Sequence, residues 1–186
     1  MKDTEIIELF FSRSENAITE TALKYGRYCG YISENILRNK EDAEECVNDT
    51  YLQVWQAIPP KKPQNLKAFL GKLVRNLAIK RWEKAHADKR GGGQIDLILS
   101  ELDECIPSNN NVEDSFNESV LTEQINLFLA ALPQVHRIVF VRRYWYASSI
   151  SDIAEQYHMS ESKVKSILFR LRNQLKAKLK KEGIEI

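Results

Sequence analysis

Apolar residues recur at three- and four-residue spacing through almost the whole chain, the period of a single buried face on an α-helix. Strict alternation is scarce, and only 7 of the 186 residues are glycine. The pattern therefore predicts an all-α protein. It holds over residues 3–87, breaks at Gly91-Gly92-Gly93 and again at Pro107-Ser108-Asn109-Asn110-Asn111, and returns over residues 119–181. Clusters of this kind mark loops. The expected organisation is two small helical domains, residues 1–87 and 119–186. A flexible acidic linker, residues 88–118, joins them and carries one short helix near residues 95–102.

The clearest single helix is predicted over residues 40–58. Ala43, Cys46, Val47, Thr50, Tyr51, Val54, Trp55 and Ile58 make one continuous stripe. Asn39 is a suitable N-cap, and Glu41, Asp42, Glu44 and Glu45 place negative charge where the helix dipole favours it. Pro59-Pro60 ends the helix. A polar loop over residues 59–65 leads to the next helix, whose expected buried face is Leu66, Phe69, Leu70, Leu73 and Leu77, with Lys72, Arg75, Asn76 and Lys80 on other faces.

Residues 150–175 read as two helices around a tight connection, His158-Met159-Ser160. Ile150, Ile153, Ala154 and Tyr157 form the inward stripe of the first. Ser160 caps the second, which buries Val164, Ile167, Leu168, Leu171 and Leu175. Its other faces carry Ser162, Lys163, Lys165, Ser166, Arg170 and Arg172. This is the layout of a helix-turn-helix. Short polar side chains near the second helix's N-terminus can reach base edges, while lysine and arginine contact phosphates. His158 stands at the turn position often taken by glycine and must accept the backbone angle required there.

Charge sharpens the picture. The formal net charge is only +1, but it is segregated. Residues 61–90 carry a net +8, residues 91–123 a net −8 with no lysine or arginine, and residues 163–181 a net +8 with no acid. Two basic blocks around an acidic connector suggest two surfaces for a polyanion. The 3 cysteines form no Cys-x-x-Cys pair, and no two of the 3 histidines are spaced for a shared metal. No metal and no cofactor are expected. No phosphate loop, nucleophile elbow or paired catalytic carboxylate is found, so an enzyme is not expected. No apolar run approaches the ~20 residues that span a bilayer, and the N-terminus lacks the layout of a secretory signal. The expectation is a cytoplasmic protein with no membrane insertion.

Two separate motif sets resemble the sigma-70 family, most closely its extracytoplasmic-function (ECF) group. Leu132-Pro133 through Val139-Phe140, then Ile150-Ser151-Asp152-Ile153-Ala154-Glu155, then residues 159–166 (MSESKVKS) look like region 4. Residues 41–55 (EDAEECVNDTYLQVW) and 69–81 (FLGKLVRNLAIKR) look like region 2. The resemblance implies an RNA polymerase sigma factor that directs promoter-specific initiation through −10 and −35 elements.

It further implies that Asn48, Asp49, Tyr51, Leu52 and Gln53 meet the clamp helices of the polymerase largest subunit, with the flap as a second polymerase contact. Lys61, Lys62, Asn65, Arg75, Asn76 and Lys80 would hold the −10 element. Ser160, Ser162, Lys163, Lys165, Ser166, Arg170 and Arg172 would read the −35 element. Core RNA polymerase and promoter DNA are the implied partners, and an anti-sigma factor is a further candidate. The chain departs from the family pattern at Lys80 (often Asp), Lys163 (often Thr), Ile167 (often Arg) and Phe169 (commonly polar), which bears on which bases are read. The alternative reading is a stand-alone helix-turn-helix regulator that never joins polymerase.

Overall fold

The computed structural model describes residues 1–86, 94–103, 105 and 115–184. The described residues form helices and their connections, with no strand, as the spacing predicts. The chain divides into two compact units, Met1–Gly92 and Gly93–Ile186. The loop signals at Gly91-Gly92-Gly93 and at Pro107-Ser108-Asn109-Asn110-Asn111 lie outside the described residues.

The first unit contains α1 (Asp3–Phe11), α2 (Asn16–Leu37), α3 (Lys40–Ala57) and α4 (Leu66–His86). Helix α2 packs on both α3 and α4, α3 packs on α4, and α1 lies against α2. Asn39 caps α3 by accepting a hydrogen bond from the Asp42 backbone N–H at 3.1 Å. Just before it, Arg38 takes the left-handed angle that ends α2 (φ 56°). That position is more often glycine, which carries no Cβ penalty there.

The α3 stripe packs inward as its spacing requires. Ala43, Cys46, Thr50, Val54 and Ile58 are buried, and Val47, Tyr51 and Trp55 are half-buried at its margins. Buried hydroxyls find partners close by: Thr50 donates to the Cys46 carbonyl at 2.8 Å, and Ser33 to the Ala43 carbonyl at 3.2 Å. Such local bonds satisfy a polar group without breaking the apolar interior.

Helix α4 is turned relative to expectation. Its buried line is Leu66, Leu70, Val74 and Ala78, while Phe69, Leu73 and Leu77 sit half-buried on its flank. The bulky residues were the obvious core candidates. Leu66 and Leu70 are buried as expected, and α4 approaches α2 closely at Gly71. A Cβ on Gly71 would come 2.5 Å from the Tyr28 hydroxyl, so the glycine leaves room for that ring.

The second unit contains α5 (Gln94–Asp103), α6 (Ser115–Ala131), α7 (Gln134–Tyr144), α8 (Ile150–Gln156) and α9 (Glu161–Lys181). One apolar core joins them, from Ile98 on α5 through Phe128, Val139 and Phe140 to Ile153 and the α9 stripe. The short helix expected inside the linker is thus present as α5, but it is not free. Ile98 is buried in this core, so α5 belongs to the second unit.

Helices α8 and α9 form the expected helix-turn-helix. Ile153 and Ala154 are buried, with Ile150 and Tyr157 packed partly against the core. Val164, Ile167, Leu168, Leu171 and Leu175 are buried on α9, and Leu179 extends the line by one turn. Ser149 and Asp152 make a reciprocal capping box at the start of α8. Ser160 caps α9, accepting from the Lys163 N–H at 3.2 Å.

At the turn between them, His158 adopts φ 52°. A non-glycine residue there carries a cost of about 1 kcal/mol. His158→Gly should therefore raise the unfolding midpoint of the second unit by circular dichroism, whereas His158→Ala, which keeps the Cβ, should not.

Candidate nucleic-acid and protein interfaces

In the helix-turn-helix, burial of one side of α9 dictates what the other side shows. Ser162, Lys163, Lys165, Ser166 and Arg170 are all exposed on the open side. Lys165 lies 3.6 Å from Glu161 one turn back, an open i, i+4 pair that leaves the ammonium solvated. Arg170 donates to the Ser166 carbonyl at 3.2 Å. Two of the seven residues that the resemblance assigns to this surface have bonds within the unit. The Ser160 hydroxyl is engaged as the α9 N-cap. Arg172 is half-buried and turned inward, donating to the Tyr144 hydroxyl at 2.9 Å and to Glu101 at 3.3 Å.

Glu101 has no motif around it, yet it organises this corner. It sits on α5 and accepts from the Arg143 guanidinium, from the Tyr144 hydroxyl at 3.0 Å and from Arg172. Arg143 is only 8% exposed and also donates to the Ser148 carbonyl at 3.1 Å. Burial alone would push the Glu101 carboxyl up. The Arg143 hydrogen bond and charge, with Tyr144 and Arg172, outweigh burial and hold it below its ordinary value. Burial also pushes the Tyr144 hydroxyl up to about 12. A run of acids in an apparent connector gives no sign that one of them reaches arginines more than 40 residues away.

In the first unit, α3 presents an acidic outer face. Asn48, Leu52 and Gln53 are exposed there, with Leu52 54% exposed. Asp49 is half-buried in an ion pair with Arg81 of α4 at 2.5 Å, and Glu45 approaches the same guanidinium at 2.9 Å. Hydrogen bonds donated by Arg81 to these carboxylates raise its pKa. Tyr51 is half-buried towards α2, where a Cβ on Gly26 would lie 3.4 Å from its hydroxyl. Burial pushes that hydroxyl up to about 12.

On the basic side, Lys61 and Lys62 are exposed in the loop after α3. Asn65 caps α4, its Oδ1 accepting from the Ala68 N–H at 2.9 Å. Lys72, Asn76, Lys80 and Lys84 are exposed at every fourth residue of α4 and form one open stripe. Arg75 lies off that stripe, half-buried, and burial lowers its pKa. Lys72 and Lys84 share this stripe although neither is among the residues expected to hold the −10 element; their i, i+4 relation to Asn76 and Lys80 is visible in the sequence. No helix among the described residues is long and apolar enough to cross a membrane, and no cluster of potential metal ligands occurs among them.

One helical unit displays an acidic and a basic helix face, and the other a helix-turn-helix with a basic open side. Residues 22–87 match Sigma-70 region 2, and residues 122–175 match Sigma-70, region 4. The chain belongs to the sigma-70 family. A similar curated protein is the ECF RNA polymerase sigma factor SigE of Mycolicibacterium smegmatis, 22% identical over 147 residues, which cover 79% of this chain and 55% of the relative. The chain thus spans about half the length of that relative.

The Glu101 cluster makes an acid-sensitivity prediction. A carboxylate whose pKa is lowered on folding stabilises the fold above its ordinary value of 4.5, and that stability is lost as pH falls through the lowered folded value. Melting of the second unit followed from pH 6 downwards should show a steep loss below pH 4.5 in the wild type. Glu101→Gln should be less stable at pH 6, by about 2 kcal/mol, and should lose less on acidification.

Proposed function

We propose that this chain is a promoter-specificity subunit of RNA polymerase, acting in the cytoplasm without catalytic chemistry of its own. It binds core polymerase through the outer face of α3 and directs initiation at promoters through −10 and −35 elements. The observation that carries the proposal is the pairing of two family regions in one chain, each with its open surface suited to a different task. The α9 face of serine, lysine and arginine suits major-groove DNA. Serine-sized groups reach base edges there, and cations fix the register on phosphates.

The α4 stripe of Lys72, Asn76, Lys80 and Lys84, with Lys61 and Lys62, suits a single strand opened at the −10 element. Cations track the backbone and polar side chains meet unpaired base edges. The acidic outer face of α3 repels DNA and suits a protein partner, with Asn48, Leu52 and Gln53 as the direct contacts. Asp49 contributes chiefly by holding Arg81, so its removal changes the fold of the face as well as its charge. In the same way Arg172 braces α9 rather than touching bases. A stand-alone regulator has no use for the α3–α4 surfaces.

Binding of full-length protein plus core polymerase to promoter fragments tests the DNA assignment. Lys163→Ala/Arg170→Ala should weaken binding at least tenfold, and the slope of affinity against salt should fall by about 1 for each phosphate no longer neutralised. Arg172→Ala should instead lower the melting temperature of the second unit. Undiminished binding by the double variant would remove α9 from the DNA interface.

A further inference from the structure

We propose that Phe11, at the C-terminal end of α1, is a stacking platform for an unpaired base of the DNA strand held by residues 59–65 and the α4 stripe. This deepens the −10 reading above and rests on it. Phe11 precedes the matched part of the chain, which begins at residue 22.

Two adjacent phenylalanines have different duties. Phe10 is buried and meets the Trp55 ring at 6.2 Å between centroids. Phe11 is 42% exposed. The core is closed by the first ring and does not account for the second. The Lys62 ammonium lies 6.0 Å from the centroid of the Phe11 ring, so the ring stands beside a loop cation rather than apart from the loop.

The position is held, not incidental. Arg13, immediately beyond α1, sits at φ 55°. Its guanidinium donates to the Trp55 carbonyl at 2.6 Å and lies 5.4 Å from the Trp55 ring. That carbonyl belongs to the last turn of α3, where C-terminal carbonyls lack helical partners and a cation is favoured. A side chain that meets an orphan carbonyl and an aromatic face together can hold its backbone in the left-handed region. The result pins the α1–α2 turn against the end of α3, from which residues 59–65 depart. An exposed ring, a cation over it and two further exposed lysine and arginine side chains, Lys61 and Arg13, thus gather at one end of the bundle.

This is the chemistry of single-strand binding: an aromatic face takes a base of any identity, and cations take the phosphates beside it. Duplex DNA keeps its base faces stacked on each other and offers none to Phe11. The site therefore selects for opened DNA, and its contribution appears only after strand separation.

The test uses the full chain bound to core polymerase, and a single-stranded oligonucleotide of the non-template sequence upstream of a mapped start site. 2-Aminopurine is placed at each position in turn, because its fluorescence is quenched on stacking. In the wild type, one position should be quenched on binding. Phe11→Ala and Phe11→Leu should both relieve that quenching and weaken single-strand affinity by about tenfold, with duplex binding unchanged. Phe11→Trp should preserve both. Phe11→Leu keeps apolar packing, so its loss separates stacking from a folding defect, and its melting curve should overlay the wild type. If both variants keep the quenched position and the affinity while Asn76→Ala weakens binding, the stacking inference is overturned and the −10 surface stands. If Asn76→Ala and the Phe11 variants all bind like the wild type, the −10 placement itself is wrong.

Discussion

Burial of Val164, Ile167, Leu168, Leu171, Leu175 and Leu179 along α9 determines which side chains that helix can offer to anything else. A helix has one circumference, and roughly a third of it or more is committed once an apolar stripe is packed. The serines, lysines and Arg170 occupy what is left. Rotating α9 to change its open face would expose several large side chains at ~1.5–3 kcal/mol each, so the set on its open side is as firmly held as the core. The same constraint governs the first unit. Packing α3 and α4 on α2 through Cys46, Thr50, Val54, Leu70, Val74 and Ala78 leaves acid outward on one and base outward on the other.

Within those faces, ion pairs decide which charges are available. Arg81 is engaged by Glu45 and Asp49, and Arg143 and Arg172 by Glu101. The cations left solvated are mainly lysines at open positions, including Lys72, Lys80, Lys163 and Lys165. Arginine, with its planar fork and weak hydration, suits the partly buried pairs, and lysine suits a solvated phosphate contact. The segregated charge blocks of the sequence therefore overstate the free cation count on each surface. They do not misplace its sign.

Much of this was legible in the residue pattern. The helical class, the α3 stripe, the Asn39 and Ser160 caps and the α8–α9 motif all follow from short-range rules, because periodicity and capping act within a few residues of each other. His158 was legible as the residue that must accept the turn's backbone angle, though not which angle that is. What was not legible depends on contacts between helices. The α4 core line runs through Val74 and Ala78, with Phe69 and Leu73 only half-buried. The ion pairs of Arg172 with Glu101 and of Asp49 with Arg81 had no sign in the local pattern. The α4 cap made by Asn65 was not read from the sequence. The helix α5 read as part of a connector because its packing partner, the core of the second unit, lies in later residues. Phe11 and Arg13 gave no local signal, since their meaning comes from Trp55 and Lys62 more than 40 residues on.

Under the proposed function both units serve one task, directing polymerase to promoters. Run-off transcription with core polymerase on a library of genomic fragments measures this directly. Discrete start sites should appear only when the full-length chain is added, each preceded by a shared pair of sequence elements. Specific binding of the same fragments without polymerase, together with no new start sites when core polymerase is present, would contradict that shared task and leave a regulator that acts alone.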